Sequence, residues 1–337
     1  MKRVLTCLFL IATFGCEEKA DVSQSAVTES IPEPDFTISV EKNHNKFSSA
    51  IPYQIKVPNG SVVEAFTKEA TGGQLNVNST LDDFEKVDMG KVHTLTGPIY
   101  VEGAEVGDVL AVELLDLEPG DWGWTGMGPE FGFLAGETDA KGFKTYKLDK
   151  ENNLVHFSEN ISIPMKPFPG VMGVAPNTEE MLTTIPPRAN GGNMDDPNLV
   201  KGITAYFPVF VKGALFSIGD THAVQGLGEV VGTAVECDMR IRFRLSIIKD
   251  KKIAEPEYES KDYYATTGFG TSIDEAAKKA TRYMVEHISK TYDISWEEAY
   301  MLCSLIGDLK IAEVVDLPHM LVTMHIPKSV FEKDKKY

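Results

Sequence analysis

Residues 213–229, near the middle of the chain, hold the side chains best suited to chemistry. Asp220 and His222 are two residues apart, so in an extended backbone both side chains point to the same face. A carboxylate and an imidazole placed in this way can bind a divalent metal together or form an acid–base pair. Glu229 follows two glycines that allow the backbone to turn sharply. The alternative is a polar turn between two strands, with these side chains bonded to the local backbone.

A second glycine-framed segment carries Asn193 and Asp195. Gly191 and Gly192 precede them and permit a close approach of the backbone to a ligand. An asparagine there can orient a carbonyl group, and an aspartate can bind a metal ion. An Asx turn, in which both side chains bond to their own backbone, is the structural alternative.

His93 and His222 are the best candidates among the seven histidines. A functional imidazole is usually held on a loop by a rigid sheet, and both residues lie next to expected strands. A nucleophilic serine or cysteine is not supported, because the sequence has no Gly-x-Ser-x-Gly motif and Cys237 falls on the apolar face of an expected strand. A water molecule activated by a metal or by a carboxylate is the better class of mechanism.

The composition excludes some partners and bounds the size of the fold. A chain of 337 residues with 42% hydrophobic residues can bury a large core. The formal net charge of −17 argues against a nucleic-acid partner, because no basic block offsets it.

The first 48 residues are expected to target and tether the protein. Residues 1–15 resemble a bacterial lipoprotein signal, with a short apolar run that ends at Cys16, the expected site of lipidation. The expectation is a membrane-anchored protein of the cell envelope; a plain secretory signal is the alternative. Residues 16–48 are predicted to be a polar tether, of which residues 36–40 could pair as an edge strand.

Short apolar runs between turns predict a β-rich part over residues 49–250, of sandwich or barrel type. Trp124 lies in a segment of aromatics and glycines, residues 121–142, that could form a mobile pocket wall or simply fill the core. The Pro- and Gly-rich residues 164–195 predict loops without a central strand.

Residues 236–245 alternate between charged and apolar side chains, which predicts a half-buried antiparallel strand. Glu236 lies on its charged face, where cross-strand partners offer a structural role as readily as a catalytic one.

The C-terminal residues 251–337 predict a smaller α/β part that completes the domain. Two capping boxes, at residues 272–275 and 295–298, open helices that reach about residues 292 and 307. Residues 309–324 are rich in β-branched side chains and predict further strands. The fold class expected is therefore mainly β with a smaller C-terminal α/β part, and the two remaining cysteines, Cys237 and Cys303, do not make a disulfide framework.

Three segments together resemble the acetamidase/formamidase family. They are residues 97–108, residues 190–195, and Gly219-Asp-Thr-His-Ala-Val-Gln-Gly-Leu-Gly-Glu229, the most specific of the three. The resemblance extends from about residue 50 to the C-terminus. It implies a mainly β homo-oligomer (dimer or higher) that hydrolyses short aliphatic amides, such as formamide or acetamide, to carboxylate and ammonia with a divalent metal, commonly zinc.

The resemblance also implies roles for the candidate residues. The metal ligands are Asp195, Asp220 and His222, with His93 and Asn193 as further catalytic residues and Glu229 as the general base. The residues implied to contact the substrate are Gly191, Gly192, Gln225 and Trp124, the two glycines through backbone N–H groups that bind the oxyanion. Glu236 stands behind this set. A surface lipoprotein that binds a ligand without turnover is the second hypothesis, because the apparent lipoprotein signal is a departure from the family.

Overall fold

The structure is a computed structural model that describes residues 30–331. The predicted signal, the lipidation site Cys16 and the first part of the predicted tether lie outside the described residues. Among residues 30–331, no helix has the length and hydropathy that a membrane-spanning helix requires.

The described residues form mainly β-structure, which confirms the predicted fold class. The strands are β1 (Phe36–Ile38), β2 (Asn43–His44), β3 (Lys46–Phe47), β4 (Ile55–Val57), β5 (Val62–Thr67), β6 (Leu95–Val101), β7 (Val109–Met127), β8 (Gly142–Asp149), β9 (Leu154–Ser158), β10 (Ile161–Pro164), β11 (Phe168–Gly173), β12 (Leu182–Thr183), β13 (Gly191–Asn193), β14 (Thr204–Pro208), β15 (Phe216–His222), β16 (Glu236–Ile248), β17 (Glu257–Glu259), β18 (Tyr263–Gly270), β19 (Asp308–Glu313) and β20 (Met320–Pro327). The helices are α1 (Leu81–Phe84), α2 (Ile273–Tyr292) and α3 (Trp296–Ile306), with single 3-10 turns at Met89–Lys91 and Lys328–Val330.

The long strand β16 connects the parts of the sheet that carry the site. It pairs antiparallel with β7 along its length, with β5 over Met239–Arg244, and with β15 at the single pair His222–Glu236. The predicted alternation is present, since its apolar side chains are buried while Arg240 and Arg242 form ion pairs with Glu64 on β5. This strand therefore anchors one end of the site in the centre of the core.

Residues 164–195 were predicted to lack a central strand, and this prediction is wrong. β11 lies between β13 and β15 and pairs antiparallel with both. Pro169 is tolerated because the pairing with β13 starts only at Val171, so the missing N–H falls where β11 has a neighbour on one side alone.

Part of the predicted tether, residues 36–47, is integrated into the fold. β1 pairs with β5 and β2 with β6, and the side chains of Ile38 and Phe47 are buried. His44 bonds through Nε2 to the buried hydroxyl of Ser217, 2.8 Å away. The segment is mainly polar, but its few buried apolar side chains are enough to fix it on the sheet.

The C-terminal helices begin where the capping boxes predicted. Ser272 accepts a hydrogen bond from the backbone of Glu275, and Ser295 with Glu298 forms a complete capping box. α2 packs across β18 and β20. The main hydrophobic core is continuous through both predicted parts, since Tyr258 and Leu321 belong to the same cluster as residues of β5 and β6.

Candidate active site

The candidate residues converge at one end of β15. Asp220 and His222 are the last residues of this buried strand, and β11 and β6 pair with it on its two sides. His93 stands just before β6. Gly219 allows this close approach, because a Cβ at that position would lie 2.5 Å from the carbonyl oxygen of Thr94.

His222 has carboxylates around both ring nitrogens. Its Nε2 lies 3.1 Å from Glu236 Oε2 and 3.6 Å from Asp220 Oδ2, and its Nδ1 lies 3.7 Å from Asp195 Oδ1. His93 Nε2 lies 3.8 Å from the same Asp220 oxygen. We call Asp220, His222 and Glu236 the imidazole group.

Gln225 fixes which nitrogen of His222 carries a proton. Its Nε2 donates to the Asp195 carbonyl oxygen at 2.7 Å, which turns its Oε1 toward His222 Nδ1 at 2.9 Å. An amide oxygen only accepts hydrogen bonds, so Nδ1 must carry the proton. His222 Nε2, between Asp220 and Glu236, is then the nitrogen whose lone pair can bind a cation.

A second group of acids lies on the other side of His222. One ligand atom each from Asp195, His222 and Glu229 lie within 4.8 Å of one another. Asp316 is close enough to Asp195 for the two carboxyls to share a hydrogen bond, and it accepts one from Asn193 Nδ2 at 2.6 Å. We call Asp195, Glu229 and Asp316 the acid group.

Glu229 is held by the C-terminal part of the chain. It lies in the loop between β15 and β16, where Gly228 donates to the carbonyl of Ala312 at 2.7 Å and forms an isolated bridge with Glu313. Glu229 is only 7% exposed. The loop is therefore fixed by backbone bonds to β19.

Three acidic residues of the site have left-handed backbone conformations. The φ angles are 39° at Asp195, 49° at Asp220 and 44° at Glu229. Residues other than glycine adopt this region rarely, at a cost of about 1 to 3 kcal/mol each. Such strain is typical of positions where the side chain has to face a ligand.

Gly170 lies where the imidazole group and the acid group meet, and its lack of a side chain leaves room for both. A Cβ there would lie 2.3 Å from Asp195 Oδ1 and 2.8 Å from His222 Cε1. Any other residue would displace a side chain of the site, so Gly170 belongs to it sterically.

Several buried polar atoms of the site have no hydrogen-bond partner among the described residues. They are His93 Nδ1, Asp195 Oδ1, Asp220 Oδ1, His222 Nε2 and Glu236 Oε2. Buried atoms of this kind are rare in proteins, and a cation bound by lone pairs of N and O atoms would satisfy several of them together. The residues present therefore fit a divalent metal ion.

Burial and mutual charge move the pKa values of the site in opposite directions. Burial, and then the charges of neighbouring acids, raise the pKa values of Asp195 and Glu229 well above their usual range. Burial also acts on Asp220 and His222, but the attraction between them and their neighbours outweighs it. The pKa of Asp220 is consequently lowered and that of His222 raised well above its ordinary value. A cation at Nε2 would displace a proton from His222.

One substrate-contact prediction, that of Gly191, disagrees with the geometry, while that of Gly192 stays a prediction. The Gly191 N–H donates to the carbonyl of Arg188 at 2.8 Å, and Gly192 is opposite Met172 in the β11–β13 ladder. The Gly191 amide is therefore not free to bind an oxyanion. Gly191 instead serves packing, because a Cβ would lie 2.5 Å from the Met172 carbonyl oxygen.

Trp124 lies in a strand, since β7 continues to Met127, and not in the loop predicted for residues 121–142. Its indole is 2% exposed, packs against Phe84 and Phe143, and donates to Glu69 Oε2 at 2.9 Å. Its Cα is opposite Glu236 in the ladder. The described contacts of Trp124 are thus structural, and contact with a substrate stays a prediction.

The structure brings together His93, Asn193, Asp195, Asp220, His222, Gln225 and Glu229, as the sequence predicted. Glu236, which the resemblance placed behind this set, lies in the site itself, because the pairing with His222 buries this end of the charged face of β16. Asp316 and Gly170 were missed. Asp316 precedes a Leu-Pro-His sequence that indicates an ordinary turn, and nothing in the sequence distinguishes Gly170 from other glycines.

Comparison with known proteins gives consistent matches. The sequence model of the acetamidase/formamidase family matches residues 33–183 and 177–333. A formamidase of Methylophilus methylotrophus is 28% identical, over 86% of this chain and 90% of its own. Among solved structures, a recombinant predicted acetamidase/formamidase of Thermoanaerobacter tengcongensis is 32% identical with a TM-score of 0.83, covering 88% of this chain and 96% of its own. An acetamidase of Bacillus halodurans is 29% identical with a TM-score of 0.83, covering 89% of this chain and 100% of its own. All residues of the imidazole and acid groups lie within the matched ranges.

Proposed function

Because the chain belongs to the acetamidase/formamidase family, we propose that it hydrolyses a short aliphatic amide, of the size of formamide or acetamide, with a divalent metal ion and with Glu229 as general base. Hydrolysis of an amide is the activity of the chain, which makes it an enzyme and not the binding protein considered from the sequence. The burial of the site supports a small substrate, since the side chains of His93, Asp220 and His222 are only 12%, 4% and 1% exposed.

The observation that carries the proposal is the set of unpartnered lone pairs around His222 Nε2. Asp220, His222 and Glu236 each offer one ligand atom, all within 4.8 Å of one another. These three residues would hold the metal, with His93 beside them. Glu236 thus takes the place that the sequence prediction gave to Asp195, because Gln225 occupies the nitrogen of His222 that faces Asp195. Imidazole and carboxylate ligands suit zinc among other divalent ions.

When bound, a divalent ion in this position supplies Lewis-acid polarisation of the amide carbonyl and lowers the pKa of a water molecule. Glu229 accepts the proton of the attacking water and delivers it to the departing nitrogen, because an amine leaves poorly without a proton. Burial, and then the charge of Asp195, raise the pKa of Glu229 well above its usual range, which favours a carboxyl that returns its proton less readily to water and can deliver it to the departing nitrogen. Asp195, which also has a raised pKa, stands next to it as a neighbouring acid.

The test is release of ammonia from formamide and acetamide by the metal-loaded protein, the chelated protein and Glu229→Gln. We expect chelation to abolish turnover, and Glu229→Gln to lower kcat by about 10²- to 10⁴-fold, as for loss of a general base. Glu130→Gln, at an exposed position outside the site, is the matched control and should retain full activity. Full activity of Glu229→Gln would refute the role of Glu229 as general base. Turnover that survives metal removal would refute the requirement for a divalent ion.

A further inference from the structure

The side-chain amide of Asn193 has a defined orientation. Its Nδ2 donates to Asp316 Oδ2 at 2.6 Å, so its Oδ1 must point the other way. Asn193 is 2% exposed, and its Oδ1 accepts no hydrogen bond from any described residue. A buried acceptor without a donor is costly unless a ligand supplies one.

Asp316 is itself held in place. Its backbone N–H donates to Glu313 Oε2 at 3.1 Å, and that of Val315 donates to the same oxygen at 2.9 Å. Glu313 is completely buried at the end of β19, where Gly228 bridges to it. The turn after β19 therefore presents a fixed acceptor to Asn193.

The unpaired oxygen belongs to the neighbourhood of the acid group. Asn193 is two residues before Asp195 and is the last residue of β13, which pairs with β11 beside β15. Asp316 contacts Asn193 and Asp195 at once, and the charges of Asp195 and Glu229 both act on it. Asn193 is thus joined through Asp316 to the acid group, which contains the proposed general base.

We propose that Asp316 is a positioning residue that holds Asn193 with Oδ1 toward the substrate nitrogen, so that the site selects amides that carry an N–H. The inference rests on the proposed function and deepens it. An amide oxygen can only accept, so it pairs with the N–H of an amide and with the ammonia that leaves. An ester has no hydrogen at the equivalent atom and would leave Oδ1 unpaired, which a buried polar site penalises strongly.

The test compares kcat/KM for acetamide and for methyl acetate, and the readout is the ratio of the two. In Asn193→Ala and Asp316→Ala we expect this ratio to fall by about tenfold or more, because only the amide loses a partner. Asp316→Asn should restore the ratio, since its carbonyl oxygen can accept from Asn193 while its NH₂ donates to Asp195.

Asn190→Ala is the control for a merely structural loss. Asn190 is buried three residues before Asn193 and donates to the Val174 carbonyl at 2.7 Å. This variant should change both substrates equally and leave the ratio as in the wild type. An unchanged ratio in Asn193→Ala, with acetamide still hydrolysed by the wild type, would overturn the inference alone. A wild type that releases no ammonia from formamide or acetamide would overturn the proposed function and this inference with it.

Discussion

His222 lies between the two carboxylates of its own imidazole group and Asp195 of the acid group. One ring nitrogen faces Asp220 and Glu236, while the other faces Gln225 and Asp195. Because each nitrogen has a distinct set of partners, the two sides of the ring cannot exchange roles. The ring nitrogen of His222 that carries the proton thus decides which neighbouring carboxylates can bind a cation together with the ring and which act as acids.

The role of Gln225 can be tested through metal binding. In Gln225→Leu, no acceptor holds the proton at His222 Nδ1, so the proton can move to Nε2 and occupy the lone pair that binds the metal. We expect the affinity for zinc to fall by about 10- to 100-fold, as for other partners that orient a ligating histidine. Isothermal titration of the metal-free protein measures it.

Gln225→Glu is the matched variant, because it keeps an acceptor for His222 Nδ1 while losing the donor to the Asp195 carbonyl. Its zinc affinity should remain at least as high as in the wild type. Equal zinc affinities of Gln225→Leu and the wild type would contradict the assignment of the tautomer.

The sequence predicted the site residues whose chemistry and short spacing point to a common site. It did not predict those whose burial depends on residues distant in the sequence. Asp220 and His222 are two residues apart in one strand, so their convergence followed from local geometry, whereas Glu229 is fixed by the backbone bonds of its loop to β19. Glu236 lies in a regular alternation that gives the face of a strand but not what covers it. Asp316 reaches the site from more than 80 residues beyond Glu229, through a turn whose sequence resembles a surface loop.

At the scale of elements, alternation and capping predicted β16, α2 and α3 because both signals are local. β11 was missed, since a proline normally excludes a central strand and its tolerance depends on where the neighbouring strand begins. β1 falls within residues 36–40, where an edge strand was predicted, and it pairs with β5. β2 and β3 were assigned to a tether because so few buried side chains give no periodic pattern. The structure of such segments is determined by pairing with strands that are distant in the sequence.

The packing of α2 on β18 predicts a pH dependence of stability. The ring of His287 stacks on that of Tyr264, with centroids 3.8 Å apart, and burial lowers the pKa of His287 to about 4. As the pH falls, the unfolded chain takes up this proton near pH 6.5 while the folded protein does not. The free energy of unfolding should therefore decrease between pH 6.5 and 4, by at most about 3 kcal/mol from this group.

His287→Phe keeps the stacked ring and removes the proton. Urea unfolding at pH 7 and pH 5 should show a smaller loss of stability for this variant than for the wild type. The same loss in both proteins would mean that His287 does not contribute to the acid sensitivity.

At the scale of the molecule, the C-terminal part completes both the core and the site. Tyr258, Phe269 and Leu321 belong to the main hydrophobic cluster, and β17 pairs with β14. The loop that carries Glu229 takes its anchor from β19. The predicted boundary at residue 250 thus separates residues that share one core.

A chain that ends at Asp250 should consequently fail to fold. It would expose the face of the core that Tyr258, Phe269 and Leu321 cover, and it would lack Asp316 altogether. We expect no cooperative thermal transition by circular dichroism and no release of ammonia.

Adding residues 251–337 as a separate chain is the complementary arm of this experiment. Because the missing contacts are noncovalent, the second fragment should restore a thermal transition, and with it some turnover. A cooperative transition of the first fragment alone would show that residues up to 250 form an independent domain.

The left-handed backbone at Asp195, Asp220 and Glu229 has an evolutionary consequence. Glycine would relieve the strain of about 1 to 3 kcal/mol at each of these positions, and it would also remove a buried acid. Selection for a sturdier protein and selection for turnover therefore favour different residues at the same three places. In a lineage released from the need to hydrolyse amides, glycine would no longer be selected against at these three positions, so they would record whether a descendant still works as an enzyme.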